Sequence, residues 1–304
     1  MTPPGNTSKN ASSYTVKRFS DHYPEPLGRM SDPPEMLYVR GKISDAPRIA
    51  VVGSRDCSAY GRQVAYRLAA DIVRAGFVVV SGLARGIDAA AHVGALDAGG
   101  ETIAVLPCGI DSVYPQRHVD LAARIVTHGA VITEFEPGTL VRRWSFLERN
   151  RIIAGLAAAT VVVEAAHKSG AKITANYALQ YDREVMAVPG PVGSRTSAGA
   201  NSLLAEGAGV CTGIESLLAQ LPVTYLEAAK RRLEGSHEGT TSVAPGLDDG
   251  ARSALEAFPE TGCCSVEQLA TATSLPIGEL LAVLTDMEVR GLIRSIGSQR
   301  YERV

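Results

Sequence analysis

The sequence predicts an α/β protein with a doubly wound parallel sheet and a small C-terminal winged-helix unit. Three observations lead there. Short apolar runs rich in β-branched residues recur at regular intervals through the middle of the chain, and Ala- and Leu-rich segments of helical period lie between them. Strands that alternate with helices in this way build parallel sheets covered on both faces. A break rich in Gly, Ser, Thr and Pro at 229–250 then separates this alternation from a tail patterned as three helices and a hairpin.

Residues 1–48 carry many Pro, Ser and charged residues with little periodicity and read as a partly disordered lead-in, in which Leu37-Tyr38-Val39 has the pattern of one short strand. The domain proper spans 49–228. Its strands are Ile49–Val52, Phe77–Val80, Thr102–Leu106, Ala130–Thr133, Thr160–Val163 and Glu184–Val188. Helical segments include Gly61–Ala75 and Asp88–Ala98, and 213–220 reads as a closing helix with Thr212 and Glu215 in capping-box spacing. After the 229–250 linker, the unit 251–304 holds helix candidates at Arg252–Phe258, Ser265–Thr273 (Ser265 and Gln268 forming a capping box) and Pro276–Arg290. Leu292–Ile296 and Arg300–Val304 flank Gly297-Ser298 as a hairpin. Five arginines against seven acids leave this unit net negative, whereas a winged helix that grips DNA presents a basic face. A protein-interaction role suits it better than direct DNA contact.

Composition bounds the function. The chain has 304 residues, of which 45% are hydrophobic, so it can bury a substantial core in roughly two domains. Its net charge is −2, so a polyanion site must come from local placement of charge. The five cysteines form no C-x-x-C pair, which argues against a zinc site or a disulfide framework and for a reducing compartment. There is no bilayer-spanning apolar run, and the N-terminus lacks a secretory apolar core. A cytoplasmic location with no membrane partner is expected.

The residues with chemistry cluster where strands meet helices. Gly53-Ser54-Arg55 follows the first strand, Ser81–Asp88 the second, Pro107–Asp111 the third, His167–Thr174 the fifth and Pro189-Gly190-Pro191 the sixth. In a doubly wound sheet ligands bind at these carboxyl ends. Glycines let backbone N–H groups approach a phosphate, and Arg55, Lys168 and Lys172 add full charge. After the fourth strand comes V-R-R-W-S-F-L-E-R-N-R-I-I-A-G, Val141–Gly155, with four arginines beside Trp144 and Phe146. Ser145 and Glu148 have capping-box spacing, which predicts a helix start at Ser145. Two readings stand for this stretch: an anion-binding helix start with rings for flat bases, or a solvated basic face packing Phe146, Ile153 and Leu156 on the sheet.

Catalytic signatures are sparse. The first loop has neither G-x-G-x-x-G nor G-x-x-x-x-G-K-[ST], which weakens dinucleotide and ATP readings, and no nucleotide or metal cofactor is expected. Asp88 and His92 stand four apart on a helix, as a local hydrogen bond or an acid–base pair. Asp88 could instead hold Arg85 or cap the helix. Glu134 and Glu164 sit at strand ends, where carboxylates catalyse or orient arginines.

An ordered set of motifs carries a resemblance over 49–211: V-V-G-S-R-D-C-S-A-Y-G, S-G-L-A-R-G-I-D-A-A-A-H, G-G-E-T-I-A-V-L, G-I-D-S-V-Y-P, R-N-R-I-I-A-G-L, V-V-V-E-A, K-S-G-A-K-I-T-A and A-V-P-G. The chain resembles the bacterial DNA-processing protein DprA family, also called Smf. The resemblance implies an extended Rossmann-like domain that binds single-stranded DNA without catalysis. It also implies a homodimer, and a role in protecting incoming strands and loading the RecA recombinase onto them during natural transformation. By match of motif the DNA pocket would use Gly53, Ser54, Arg55, Phe146, Arg149, Arg151, Lys168, Ser169, Gly170 and Thr174. Lys172 departs from the family's Ser-Gly-Ser-Leu-Ile-Thr pattern as a further phosphate contact or a solvated side chain, and Leu147 replaces a common Pro. Two other classes remain: a nucleotide-binding or nucleoside monophosphate-hydrolysing enzyme, for which the usual P-G-G-x-G-T-x-x-E loop is not reproduced, and a ligand-sensing regulator of duplex DNA.

Overall fold

The computed structural model describes residues 13–237 and, in the tail, 253–303 apart from 255–256, 259–262, 274, 290–292 and 296–299. It divides into two compact units, 1–236 and 237–304.

The first unit has nine strands: β1 (Tyr14–Lys17), β2 (Met36–Gly41), β3 (Arg48–Val52), β4 (Val78–Ser81), β5 (Thr102–Val105), β6 (Ala130–Thr133), β7 (Ala159–Val162), β8 (Glu184–Ala187) and β9 (Gly209–Val210). Their spatial order is β1-β2-β6-β5-β4-β3-β7-β8-β9. From β6 to β9 all pairs are parallel, while β2 joins β6 and β1 joins β2 antiparallel. The order runs outward from β3 in both directions, so the sheet reverses between β3 and β7 and opens a crevice there.

The strand interiors are buried on both faces, which is why they read as unbroken apolar runs. On one face, Ala50, Val52 and Val80 pack with Leu27 of α1 (Glu25–Gly28), Ile152, Ile153 and Leu156 of α5 (Ser145–Leu156), Ala175 of α6 (Gly170–Gln180) and Leu203 of α7 (Ala198–Ala205). On the other, Ile49 and Val51 pack with Leu68 and Ile72 of α2 (Ala59–Arg74), Ala91 of α3 (Ile87–Asp97), Leu217 of α8 (Ile214–Leu218) and Ala229 of α9 (Val223–His237). Each large aliphatic side chain so buried contributes about 1.5–3 kcal/mol. The helix α4 (Val119–His128) covers the β5–β6 end with Ala122 and Ile125. The approach of α2 to α3 is close enough that a Cβ on Gly94 would lie 2.1 Å from the Tyr66 carbonyl, so only glycine fits.

Several boundaries differ from the sequence expectations. Residues 14–48 are not a lead-in: β1 and β2 extend the sheet, and Arg183 Nη2 donates to the Pro26 carbonyl at 3.1 Å. The short strand expected at Leu37-Tyr38-Val39 is the middle of β2, while β1 hid because it buries Val16 alone. Residues 1–12 lie outside the described residues. The linker expected at 229–250 begins later, since α9 runs to His237, and 238–250 lie outside the described residues. Before α8 the cap is Ser216 rather than Glu215: its Oγ accepts from the Thr212 and Gly213 N–H groups at 2.9 and 3.2 Å.

In the second unit, strands Cys263–Ser265, Ile293–Ser295 and Arg300–Arg303 form an antiparallel sheet with Arg300–Arg303 central. Helices Val266–Thr273 and Ile277–Val289 pack Leu269, Leu280, Leu284 and Met287 with Phe258 and Ile293. The capping box forms as expected, Gln268 N–H donating to Ser265 Oγ at 3.2 Å and Ser265 N–H to Gln268 Oε1 at 2.9 Å. The helix expected at Arg252–Phe258 falls partly, and the Gly297-Ser298 turn wholly, outside the described residues.

Candidate functional site

The crevice between β3 and β7 holds a cavity of 460 Å³. Gly53, Ser54, Arg55 and Asp56 enter it from the loop after β3, and Lys168, Ser169, Gly170 and Thr174 from the loop and first turn after β7. Arg143, Phe146, Leu147, Arg149 and Asn150 come from α5 and its approach, and Ala84 and Asp88 from the loop after β4 and the start of α3.

Local bonding fixes these loops. Ser54 N–H donates to the Glu164 carbonyl at 2.7 Å and Ile87 N–H to the Ser54 carbonyl at 3.2 Å, tying the first loop to both neighbours. Ser169 caps α6, its Oγ accepting from Ala171 N–H at 3.2 Å. Gly170 and Ala171, at the positive dipole end of that helix, line the cavity that Lys168 charges. Asn150 Nδ2 donates to the Gly170 carbonyl at 3.3 Å and so ties α5 to α6.

Arg149 is the floor. It is 4% exposed, its Nη1 donates to the Val105 carbonyl at 3.1 Å, and its Nε has no hydrogen-bond partner among the described residues. Burial pulls its pKa down to about 10, against the opposing pull of Asp88, so it stays charged at neutral pH. Asp88 accepts the N–H groups of Gly82 and Ala84 at 3.2 and 3.4 Å, and burial pushes its carboxyl up despite Arg149. Gly82 leaves room for the Arg149 guanidinium, because a Cβ there would lie 1.5 Å from Nη1. Four cationic side chains, Arg55, Arg143, Arg149 and Lys168, face two carboxylates, Asp56 and Asp88, and Asp56 is engaged by Arg85 at 3.1 Å. The cavity therefore favours an anion. Phe146 stands at its rim, edge-on to Tyr114 with centroids 5.6 Å apart.

Of the residues expected here, Gly53, Ser54, Arg55, Phe146, Arg149, Lys168, Ser169, Gly170 and Thr174 come together. Arg151 and Lys172 do not. Arg151 turns to the opposite side of α5, where it meets Glu134, Glu148 (3.3 Å) and the Asp32 carbonyl (2.6 Å). Burial opposes its charge, but these carboxylates more than offset that and raise its pKa. Glu134 thus orients an arginine, and burial pushes its own carboxyl up. Lys172 Nζ donates to Ser202 Oγ at 3.0 Å and pairs with Glu206 at 3.2 Å. Among the described residues Glu164 pairs with no arginine; it accepts from Ser58 N–H and Ser58 Oγ at 2.8 and 2.6 Å. Asp88 does not bond His92, whose Nδ1 lies 2.7 Å from Thr102 Oγ1, nor does it hold Arg85.

Ser145 is the first helical residue of α5 rather than its cap: its Oγ accepts from Arg142 N–H and donates to the Arg142 carbonyl. Trp144 packs edge-on to Phe135 instead of lining the cavity. Asn150 is a cavity residue that the sequence did not single out, and Arg143, one of the four arginines of Val141–Gly155, lines the cavity although it lies outside the matched motif. Among the described residues no group of three His, Cys, Asp or Glu could hold a metal ion, and no helix is long and apolar enough to cross a membrane.

Known proteins share this architecture. The model of the family "DNA recombination-mediator protein A" matches residues 14–222, and that of the DprA winged helix domain matches 238–297. A DprA protein of Mycobacterium tuberculosis is 42% identical over 248 residues, 81% of this chain and 62% of that protein, so the chain spans less than two thirds of that relative's length. DprA from Streptococcus pneumoniae superposes with a TM-score of 0.66 at 37% identity, covering 69% of this chain and 74% of that one. DprA from Helicobacter pylori, solved for its single-stranded DNA binding mode, superposes with a TM-score of 0.62 at 28% identity, covering 69% and 97%. With more than half of its length matched by the family model, the chain belongs to the DNA recombination-mediator protein A family, DprA or Smf.

Proposed function

We propose that the chain binds single-stranded DNA in the crevice between β3 and β7. Phosphates sit on Arg55, Arg149, Lys168 and the start of α6, and a base lies against Phe146. The observation that carries this reading is Arg149: a buried, charged guanidinium lining the cavity, with an Nε that has no hydrogen-bond partner among the described residues. A buried cation so placed is stabilised by an anion supplied from outside. The single-stranded DNA binding of the Helicobacter relative supports the choice of polyanion. The role is non-catalytic. In support, both carboxylates of the cavity are already engaged, Asp56 by Arg85 and Asp88 by backbone N–H groups, and no histidine or cysteine lines it. We further infer that the protein acts as a homodimer in the cytoplasm and hands strands to the RecA recombinase during natural transformation, as its family membership suggests.

Fluorescence anisotropy of a labelled oligothymidine tests the binding. Charged hydrogen bonds to phosphate are each worth roughly 1.5–3 kcal/mol, so Arg55→Ala and Lys168→Ala should each weaken binding about 10-fold or more, whatever the base sequence. Unchanged affinity in both variants sinks the proposal. For the RecA step, filament assembly on a strand coated with single-strand binding protein should accelerate when this protein is added.

A further inference from the structure

Arg55 belongs to more than one cavity. Besides the crevice it lines a 140 Å³ chamber with Tyr114, Phe146 and Arg149. It also borders a third hollow, of 1030 Å³, over α2 and the start of α3. Asp56 is likewise shared between the crevice and this hollow, so the two adjoin at the first loop.

The hollow is basic. Arg62 reaches it from the first turn of α2, Arg85 from the loop before α3, and Arg117 from the turn Gln116–His118. That turn is anchored, His118 Nδ1 lying 2.8 Å from the Leu83 carbonyl. Among the described residues, Asp56 is the one acid lining the hollow, and it pairs with Arg85. Two arginines outside the hollow do have acidic partners: Arg74 of α2 meets Asp71 at 3.0 Å, and Arg124 of α4 meets Asp97 at 2.6 Å. Among the described residues, Arg62 and Arg117 have no such ion pair. A concave surface with uncompensated charge of one sign concentrates the opposite charge.

We propose that Arg62, Arg85 and Arg117 form a second phosphate-binding subsite that carries the same DNA strand onward from the crevice, with Arg55 at the turning point. This rests on the single-stranded DNA reading of the crevice. The first loop, pinned by Ser54 and Ile87, holds the two subsites in fixed register. A short strand fills the crevice alone; a longer one crosses Arg55 and gains the hollow.

The test compares labelled oligothymidines of about 6 and about 20 nucleotides, lengths that bracket common single-strand site sizes. The proteins are the full chain, the R62A/R117A double variant and the R55A/K168A double variant. Arg62 and Arg117 are exposed, so an unchanged melting midpoint verifies the fold. R62A/R117A should weaken the longer strand roughly tenfold and the shorter by about twofold at most, and the salt slope for the longer strand should fall by about 1.4, two single-strand contacts at about 0.7 each. R55A/K168A should weaken both lengths. Equal affinity and equal salt slope of R62A/R117A and the parent protein on the longer strand overturn the second subsite and leave the crevice reading standing. An equal loss on both lengths also overturns it, because the hollow is then no extension. If the parent protein binds neither length, the crevice reading falls and this proposal with it.

Discussion

The Arg55 guanidinium lies 4.5 Å from the centroid of the Phe146 ring. The contact bridges the loop after β3 and the first turn of α5, two segments far apart in sequence. It holds the cation over a ring whose edge is set by Tyr114, so both groups are ordered before a ligand arrives.

That pre-organisation makes Phe146 separable from the phosphate contacts. Stacking of a base on an aromatic ring is worth about 1–3 kcal/mol, so Phe146→Ala should weaken oligothymidine binding by about 5- to 150-fold. The salt slope should barely move, because no charge is removed. Anisotropy titrations at several salt concentrations read both quantities. A changed slope with unchanged affinity at low salt would show that Phe146 only positions Arg55.

Gly82 offers a test of Arg149 that leaves its charge in place. A Cβ at Gly82 would lie 1.5 Å from Nη1 and 2.4 Å from Cζ of Arg149, so Gly82→Ala must displace the guanidinium. Overpacking a buried site typically costs about 1–3 kcal/mol. The variant should lose about that much stability in urea titration and bind DNA more weakly than the fold loss explains. Parent-like affinity in the folded variant would mean that Arg149 is a structural cation alone.

The parallel strands were legible in the sequence because both their faces are buried, so Ile49–Val52 reads as one apolar run. Of the two antiparallel strands, β2 was legible at Leu37-Tyr38-Val39, whereas β1 was not, since it is the edge strand and buries a single residue. In the site, Gly53–Arg55 and Lys168–Gly170 were legible because loop position at strand ends dictates what they face. Arg151 and Lys172 carried the same signal of residue type, but their direction is set by Glu134 and Glu206, carboxylates brought close only by the fold. Motif position therefore placed these side chains on the right helices without saying which way they turn.

Arg151 and Glu134 should accordingly govern stability rather than binding. Both side chains are largely buried, at 9% and 16% exposed. Removing one partner of a buried pair leaves the other charge uncompensated and costs about 3–5 kcal/mol, whereas replacing both can be nearly neutral. Arg151→Met should be strongly destabilised, Glu134→Gln less so because Glu148 and Asp32 still face Arg151, and the double variant clearly less than their sum. A double-mutant cycle from urea unfolding measures this coupling. Additive losses, or a specific DNA-binding defect in folded Arg151→Met, would return Arg151 to the binding surface.

His92 should give the protein an acid-sensitive core. It is 0% exposed, and its Nδ1 lies 2.7 Å from Thr102 Oγ1. The Thr102 hydroxyl donates to the Val79 carbonyl at 2.8 Å, so it accepts from His92, and Nδ1 carries the proton of the neutral ring. Nε2 has no hydrogen-bond partner among the described residues, so a second proton there would be buried without an acceptor. Burial, then His118 and Arg149, lower the His92 pKa to about 3 from 6.5. Because the folded value lies below the unfolded one, the contribution is fully present above pH 6.5 and is lost as pH falls towards 3. Below about pH 6.5 the unfolded chain takes up a proton that the native state refuses, at about 1.4 kcal/mol per pH unit. Urea unfolding at pH 7.5 and pH 5.5 should therefore show the parent protein losing about 1.4 kcal/mol more than His92→Gln over that interval. The glutamine variant should start lower at pH 7.5, because its side chain fills the site less well, and its curve should be flatter. Parallel curves would mean that His92 accepts its proton in the native state, with an acceptor at Nε2.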